Sequence, residues 1–91
     1  MSIHWLFEVI EDRKQHPKQG SYTSSLFSEG LPRISQKVGE EGTEVVVAAL
    51  AQSDQRLIEE VADLTFHTLV LLSARGLSPE QVITELEKRH K

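Results

Sequence analysis

The chain has 91 residues, of which 14 are acidic, 10 are basic and none is cysteine, so its formal net charge is −4 at pH 7. This length predicts one domain, residues 1–91. The lack of cysteine excludes a disulfide framework and a thiolate metal site, and the acidic balance without a basic stripe argues against a nucleic-acid partner. The sequence has neither a long apolar run nor an N-terminal signal pattern, so we expect a cytoplasmic protein that does not contact the membrane.

The first segment predicts an amphipathic helix. Ser2 is a suitable N-cap, and Pro17 with Gly20 marks the region in which the helix ends. The apolar residues recur at i, i+3, i+4 and i+7, the spacing of one helix face. They are Ile3, Leu6, Phe7 and Ile10.

A hydroxyl-rich loop is predicted for residues 17–25, because the stretch PKQGSYTSS is rich in turn-forming residues. A short helical turn is expected next, at Leu26 and Phe27, with Gly30 closing it.

Two long helices and a shorter one complete the predicted fold. Pro32 suits the first turn of a helix over 32–52. A second long helix covers roughly 55–75 and stops at Gly76, and Ser-Pro-Glu at 78–80 has the pattern of a helix start. The sequence therefore predicts an all-α domain of four to five helices in an antiparallel bundle, and so short a chain would gain buried surface by dimerising.

Two acidic pairs stand out on the long helices. Glu41 and Glu44 are three positions apart, and so are Glu60 and Asp63. Residues at this spacing share one face of a helix. Because the two helices are joined by a short connection, we expect the four carboxylates to converge between them.

The neighbouring residues indicate that these carboxylates point inwards. Glu41 lies on the helix side that also carries Ile34, Val38 and Val45, and the sequence after Glu44 is apolar on every side, as in a buried helix. Like charges in an apolar interior are unfavourable unless something neutralises them. The alternative, a solvated acidic face, explains one pair better than two matching pairs. A hard divalent cation, Mg²⁺ or alternatively Mn²⁺, resolves the conflict.

One histidine lies close to the second pair. His67 follows Asp63 by one helical turn. We expect it to be a buried histidine that hydrogen-bonds to a carboxylate, in preference to a metal ligand.

The acidic pattern belongs to a longer resemblance. Glu-Glu-x-x-Glu, formed by Glu40, Glu41 and Glu44, followed by Glu60-x-x-Asp63, is similar to the signature of the MazG-like all-α NTP pyrophosphohydrolases. Residues 21–50 and 59–82 more specifically resemble the phosphoribosyl-ATP pyrophosphohydrolase family of histidine biosynthesis. The stretches IEDRKQ near the start and ELEKRH near the end also fit.

The resemblance implies an activity, a cofactor and partners. The reaction would be Mg²⁺-dependent hydrolysis of the α–β phosphoanhydride of phosphoribosyl-ATP, giving phosphoribosyl-AMP and pyrophosphate. An intertwined α-helical homodimer is implied. The family is often fused to the cyclohydrolase of the next step; we expect that enzyme to be a separate chain here and to be functionally associated with this one.

The metal ligands are expected to be Glu41, Glu44, Glu60 and Asp63, which together with Glu40 form the expected catalytic set. Glu40 is the candidate general base or supporting carboxylate, although a helix points it about 100° away from Glu41; the alternative is a solvent-facing charge.

The substrate-binding residues are expected to carry cationic and hydroxyl groups. Lys37 is placed to meet a phosphate, or else forms a simple ion pair with Glu41. Loop hydroxyls could contact the phosphoribosyl or phosphate groups, or else serve as caps. The expected set is Lys37, Ser21, Tyr22, Thr23 and Arg33.

Two rival functions fit parts of the sequence. A housecleaning pyrophosphohydrolase for another nucleoside triphosphate would use the same carboxylates. A noncatalytic dimerisation module would explain the apolar helices, but it leaves the inward carboxylates without a purpose.

Overall fold

The chain folds into five α-helices in a computed structural model that describes residues 1–90; Lys91, the last residue of the predicted domain, lies outside this range. No strand occurs among the described residues, and the prediction of an all-α fold is confirmed. The helices are α1 (Ile3–Gln15), α2 (Tyr22–Glu29), α3 (Leu31–Ala51), α4 (Asp54–Ala74) and α5 (Pro79–Arg89).

The predicted helix boundaries are largely confirmed, because the residues that mark them act as caps. The Ser2 hydroxyl accepts a hydrogen bond from the Trp5 amide, and the Ser53 hydroxyl accepts one from the Arg56 amide. Gly76, just after α4, has a φ of 72°, in the left-handed region that glycine adopts without strain. These local hydrogen bonds satisfy backbone groups that a helix end leaves without partners.

The prediction of a loop over 17–25 is wrong at its C-terminal end. Helix α2 begins at Tyr22 and is therefore longer than the single turn predicted at Leu26 and Phe27. Ser21 caps this helix by accepting a hydrogen bond from the Ser24 amide at 3.1 Å. The run of hydroxyl residues thus contains a cap and the first turn of a helix, two uses that composition does not separate.

Helices α3 and α4 form an antiparallel hairpin, because only residues 52–53 separate them and they pack along their length. Helices α1 and α2 close one end of this hairpin over a small hydrophobic core. The buried core residues are Phe7, Ile10, Leu26, Ile34, Leu69 and Val70.

The far end of the hairpin is not buried within one chain. Val46, Leu50 and Ile58 are all exposed, and Leu50 keeps 84% of its surface accessible. The expectation that the apolar half of α3 is a buried helix is therefore wrong for the single chain. The apolar composition predicts that this surface is buried, but it does not say whether the residues that bury it belong to the same chain or to another one.

Among the described residues, none of the helices combines the length and the apolar character that crossing a bilayer requires.

Candidate metal and substrate site

Three acidic side chains meet between α3 and α4. Glu41, Glu60 and Asp63 each offer a carboxylate oxygen, and these oxygens lie within 4.8 Å of one another. Glu41 is 6% exposed and Glu60 is 3% exposed, whereas Asp63 opens towards solvent. The i, i+3 spacing on α4 and the short connection to α3 produce this convergence. It includes three of the four carboxylates that the sequence predicts, and Glu44 is not among them. The result is an acidic cluster that could hold a metal ion.

The two buried carboxylates are only partly neutralised. Lys37 Nζ lies 3.3 Å from Glu41 Oε1, and the Arg56 guanidinium pairs with Glu60 Oε1. The second oxygen of each carboxylate, Oε2 of Glu41 and Oε2 of Glu60, is buried without a hydrogen-bond partner in residues 1–90. Buried polar atoms are rarely left in this state. Two such oxygens beside a third carboxylate fit a hard divalent cation.

Glu44 lies beside the cluster, one turn after Glu41, and is exposed. A hydrogen bond between the carboxyl groups of Glu44 and Glu60, which can form only when Glu44 holds a proton, is the largest influence on Glu44, followed by the negative charges of Glu41 and Glu60. Together they raise the pKa of Glu44 to about 7. Crowded like charges make one carboxylate keep its proton. Of the four predicted ligands, Glu44 is thus the one that lies beside the cluster and not within it.

Lys37 borders the cluster on α3. Partial burial by itself would lower the pKa of Lys37, but its hydrogen bond to Glu41 and the charges of nearby acidic groups raise that pKa above its usual value. The ammonium of Lys37 therefore stays charged, and it lies next to Glu41, a member of the acidic cluster.

Tyr22 and His67 form a polar contact next to the acidic cluster. The Tyr22 hydroxyl lies 2.8 Å from His67 Nε2, and His67 Nδ1 lies 2.8 Å from the backbone oxygen of Asp63. The expectation of a buried histidine is confirmed, since His67 is 5% exposed, but its partners are a phenol and a backbone carbonyl and not a carboxylate. The Asp63 carboxylate points instead towards Glu41 and Glu60.

The remaining predicted residues lie outside the cluster. Glu40 is exposed and accepts a hydrogen bond from Gln36 Nε2 at 2.9 Å, and Arg33 lies 3.7 Å from the same carboxylate. Ser21 caps α2, and Thr23 lies half-buried in that helix's first turn. The structure thus brings Glu41, Glu60 and Asp63 together, with other predicted residues around them.

Sequence reasoning missed Arg56, which contacts both Glu59 and Glu60. It also lines a cavity beside the cluster with Glu44, Val47, Gln52 and Glu60. The spacing carried the signal, because Arg56 precedes Glu59 by three positions and Glu60 by four, and such pairs share a helix face.

Comparison with known proteins gives a consistent result. The model of a family described as "Phosphoribosyl-ATP pyrophosphohydrolase" matches residues 4–90. A protein of Lactiplantibacillus plantarum is 55% identical over 84 residues, which cover 92% of this chain and 79% of that protein. One from Sulfurisphaera tokodaii is 49% identical over 86 residues, covering 94% of this chain and 92% of that protein. Both bear the name "Phosphoribosyl-ATP pyrophosphatase".

Proposed function

The chain belongs to the phosphoribosyl-ATP pyrophosphohydrolase family, and from this membership we propose that its acidic cluster performs the family's reaction with Mg²⁺. The chain is a hydrolase of histidine biosynthesis that converts phosphoribosyl-ATP into phosphoribosyl-AMP and pyrophosphate. The observation that carries the proposal is the meeting of Glu41, Glu60 and Asp63, with two buried oxygens that lack hydrogen-bond partners within residues 1–90. An enzyme that hydrolyses a phosphoanhydride needs positive charge next to the phosphates, and these residues could bind the metal cation that provides it.

Glu41, Glu60 and Asp63 would hold the ion, Mg²⁺ or alternatively Mn²⁺. Glu44 would become the fourth ligand once it loses its proton. When bound, the cation would neutralise the triphosphate charge and make a water molecule more acidic. All of these proposed ligands are carboxylate oxygens. They fit this choice of metal, since Mg²⁺ prefers carboxylates and substrate phosphates.

The surrounding cations would orient the cluster and the substrate. Lys37 can donate to a phosphate oxygen while it stays close to Glu41. Arg56 holds one oxygen of Glu60, so that the other oxygen faces the cluster. Ser21, Tyr22, Thr23 and Arg33 remain the proposed substrate contacts.

Glu40 is proposed as the catalytic base, and it has the least structural support. Its hydrogen bond from Gln36 fixes its carboxylate on the exposed side of α3. The Glu40→Gln variant tests this role, because an essential base would lose most of kcat, whereas a surface charge would leave it intact.

We propose that the chain works as a homodimer, in the cytoplasm, next to a phosphoribosyl-AMP cyclohydrolase that consumes the product. The exposed apolar residues at the far end of the α3–α4 hairpin support the dimer. Burying apolar surface of this kind contributes roughly 25 cal/mol per Å². The prediction of one domain over 1–91 stays part of this proposal.

Pyrophosphate release from phosphoribosyl-ATP tests the function, measured with Mg²⁺ and with excess EDTA, and with ATP as the control substrate. We expect release that needs the metal and is specific for phosphoribosyl-ATP. Metal-dependent release from ATP instead would keep the metal site and overturn the substrate. No release from either would contradict the whole proposal.

A further inference from the structure

His67 lies inside the fold, and Tyr22 lies at its edge. His67 is buried on α4, while Tyr22 is half exposed at the start of α2. The two rings meet edge-to-face, with centroids 5.8 Å apart and planes 80° apart. The buried imidazole of His67 thus holds the hydroxyl of a tyrosine that is accessible to solvent.

The two hydrogen bonds of His67 define which ring nitrogen carries the hydrogen. The Asp63 backbone oxygen can only accept, so His67 Nδ1, at 2.8 Å, must donate to it. In the neutral imidazole the other nitrogen is then an acceptor. Nε2 therefore accepts the hydrogen of the Tyr22 hydroxyl, 2.8 Å away.

This arrangement decides what Tyr22 can offer to a ligand. Its single hydrogen is used on His67, and its oxygen keeps lone pairs that can only accept. Phosphate oxygens are acceptors as well, so Tyr22 is unsuited to bind them. A sugar hydroxyl or a base amino group, which donates a hydrogen, is a suitable partner.

Tyr22 is also close to the acidic cluster. Its ring lies against Phe66 and His67 on α4, with ring centroids 6.3 Å and 5.8 Å away. His67 is tied to the backbone of Asp63, whose carboxylate belongs to the cluster. Tyr22 therefore borders the place where a substrate held by the cluster would lie.

We propose that His67 is a positioning residue, which orients the Tyr22 hydroxyl as a hydrogen-bond acceptor for a hydroxyl or amino group of the substrate's ribose or base. This proposal rests on the function proposed above. It assigns Tyr22 to the nucleoside part of the substrate and removes it from the set of phosphate contacts.

Four variants test the proposal in the full-length enzyme. Tyr22→Phe removes the acceptor, and His67→Asn keeps an amide near the Nδ1 position while losing the contact with Tyr22. His67→Gln places an amide oxygen near the Nε2 position and should restore the hydrogen bond from the Tyr22 hydroxyl. We expect KM to rise about fivefold in Tyr22→Phe and His67→Asn, the loss typical of one hydrogen bond, with kcat within about twofold. His16→Asn, at an exposed position just after α1, is the matched control.

The double variant and the two products sharpen the test. Tyr22→Phe combined with His67→Asn should be no worse than Tyr22→Phe alone, because both remove one interaction. In Tyr22→Phe, inhibition by phosphoribosyl-AMP should weaken about fivefold, whereas inhibition by pyrophosphate should not change. An additive double variant, an unchanged KM in His67→Asn, or weaker pyrophosphate inhibition would each overturn the proposal.

A spectroscopic measurement keeps the proposal testable if His67→Asn does not fold. In the wild-type enzyme, ¹⁵N NMR of the imidazole should find the hydrogen on Nδ1, the nitrogen that lies 2.8 Å from the Asp63 backbone oxygen. A hydrogen on Nε2 would overturn the assignment. A wild-type enzyme that does not cleave phosphoribosyl-ATP would instead contradict the underlying function, so the two failures are distinguishable.

Discussion

Glu41 and Glu60 face each other across the α3–α4 hairpin in the same condition: each has one oxygen held by a cation and one buried oxygen without a hydrogen-bond partner in the part of the chain that the structure describes. Lys37 and Arg56 are the two cations, each one helical turn before its carboxylate. The fold thus pairs one oxygen of each carboxylate with a cation and leaves the other oxygen available to the cluster. This symmetry is the basis of the predictions that follow.

Removing a ligand charge should abolish turnover without unfolding the helices. For Asp63→Asn and Glu44→Gln we expect kcat to fall by at least about 100-fold, since even residues behind metal ligands cost 10–100-fold. Far-UV circular dichroism should not change. Glu87→Gln, on exposed α5, is the control; full activity in both ligand variants would contradict the metal site.

The metal-free protein should become less stable as the pH rises through the neutral range. The pKa of Glu44 is about 7 in the folded chain, against 4.5 as its ordinary value, so the folded state binds this proton more tightly than the unfolded state does. Between these values the free energy of unfolding therefore falls as pH rises. We expect a higher Tm at about pH 6 than at about pH 8 in EDTA.

Two comparisons isolate that effect. Glu44→Gln should flatten the pH dependence of Tm, and Glu87→Gln should not. Glu11, Glu59 and Glu80 have lowered pKa values, so their stabilisation is lost only as pH falls towards and below 4.5, outside this window. A wild-type Tm that rises steadily from about pH 6 to pH 8 would contradict the assignment to Glu44.

Arg56 should act as a partial substitute for the metal. Because the Arg56 side chain is half exposed, we expect Arg56→Gln to lower the Tm only slightly without metal. With Mg²⁺ the cation balances Glu60, so the metal-induced rise in Tm should be larger than in the wild type. Thermal melts with Mg²⁺ and with EDTA measure this.

Arg75→Gln, at the exposed end of α4, serves as the control for the loss of an arginine. A smaller metal-induced rise in Arg56→Gln than in the wild type would indicate that Arg56 assists metal binding and does not substitute for it.

A charge at the far end of the hairpin should disrupt the dimer. Leu50 is 84% exposed in the single chain, and a lysine there would have to leave water if this surface is shared between two copies. We expect Leu50→Lys to be monomeric by light scattering coupled to size-exclusion chromatography. Trp5→Lys, at an exposed position of α1, should keep the wild-type mass. A dimeric Leu50→Lys would show that the interface lies elsewhere.

Local patterns predict much of this molecule. Serine caps, glycines and apolar spacing define four of the helices closely. The i, i+3 pairs predict that Glu41, Glu44, Glu60 and Asp63 converge, and the structure groups all of these except Glu44. The contact of Tyr22 with His67 could not be predicted in this way, because it joins residues far apart in sequence through a packing that only the whole fold determines. The exposure of Leu50 is of the same kind, since the sequence indicates a need for burial without naming the partner.

The two-residue connection between α3 and α4 also bears on how the chain reaches its native state. Contacts between segments that are near in sequence form with little loss of chain entropy, so this hairpin is well placed to assemble early. Closing it brings like charges together, which raises the electrostatic free energy as the helices approach. We expect Mg²⁺ to speed refolding in stopped-flow experiments, which would make the ion of catalysis an aid to folding as well.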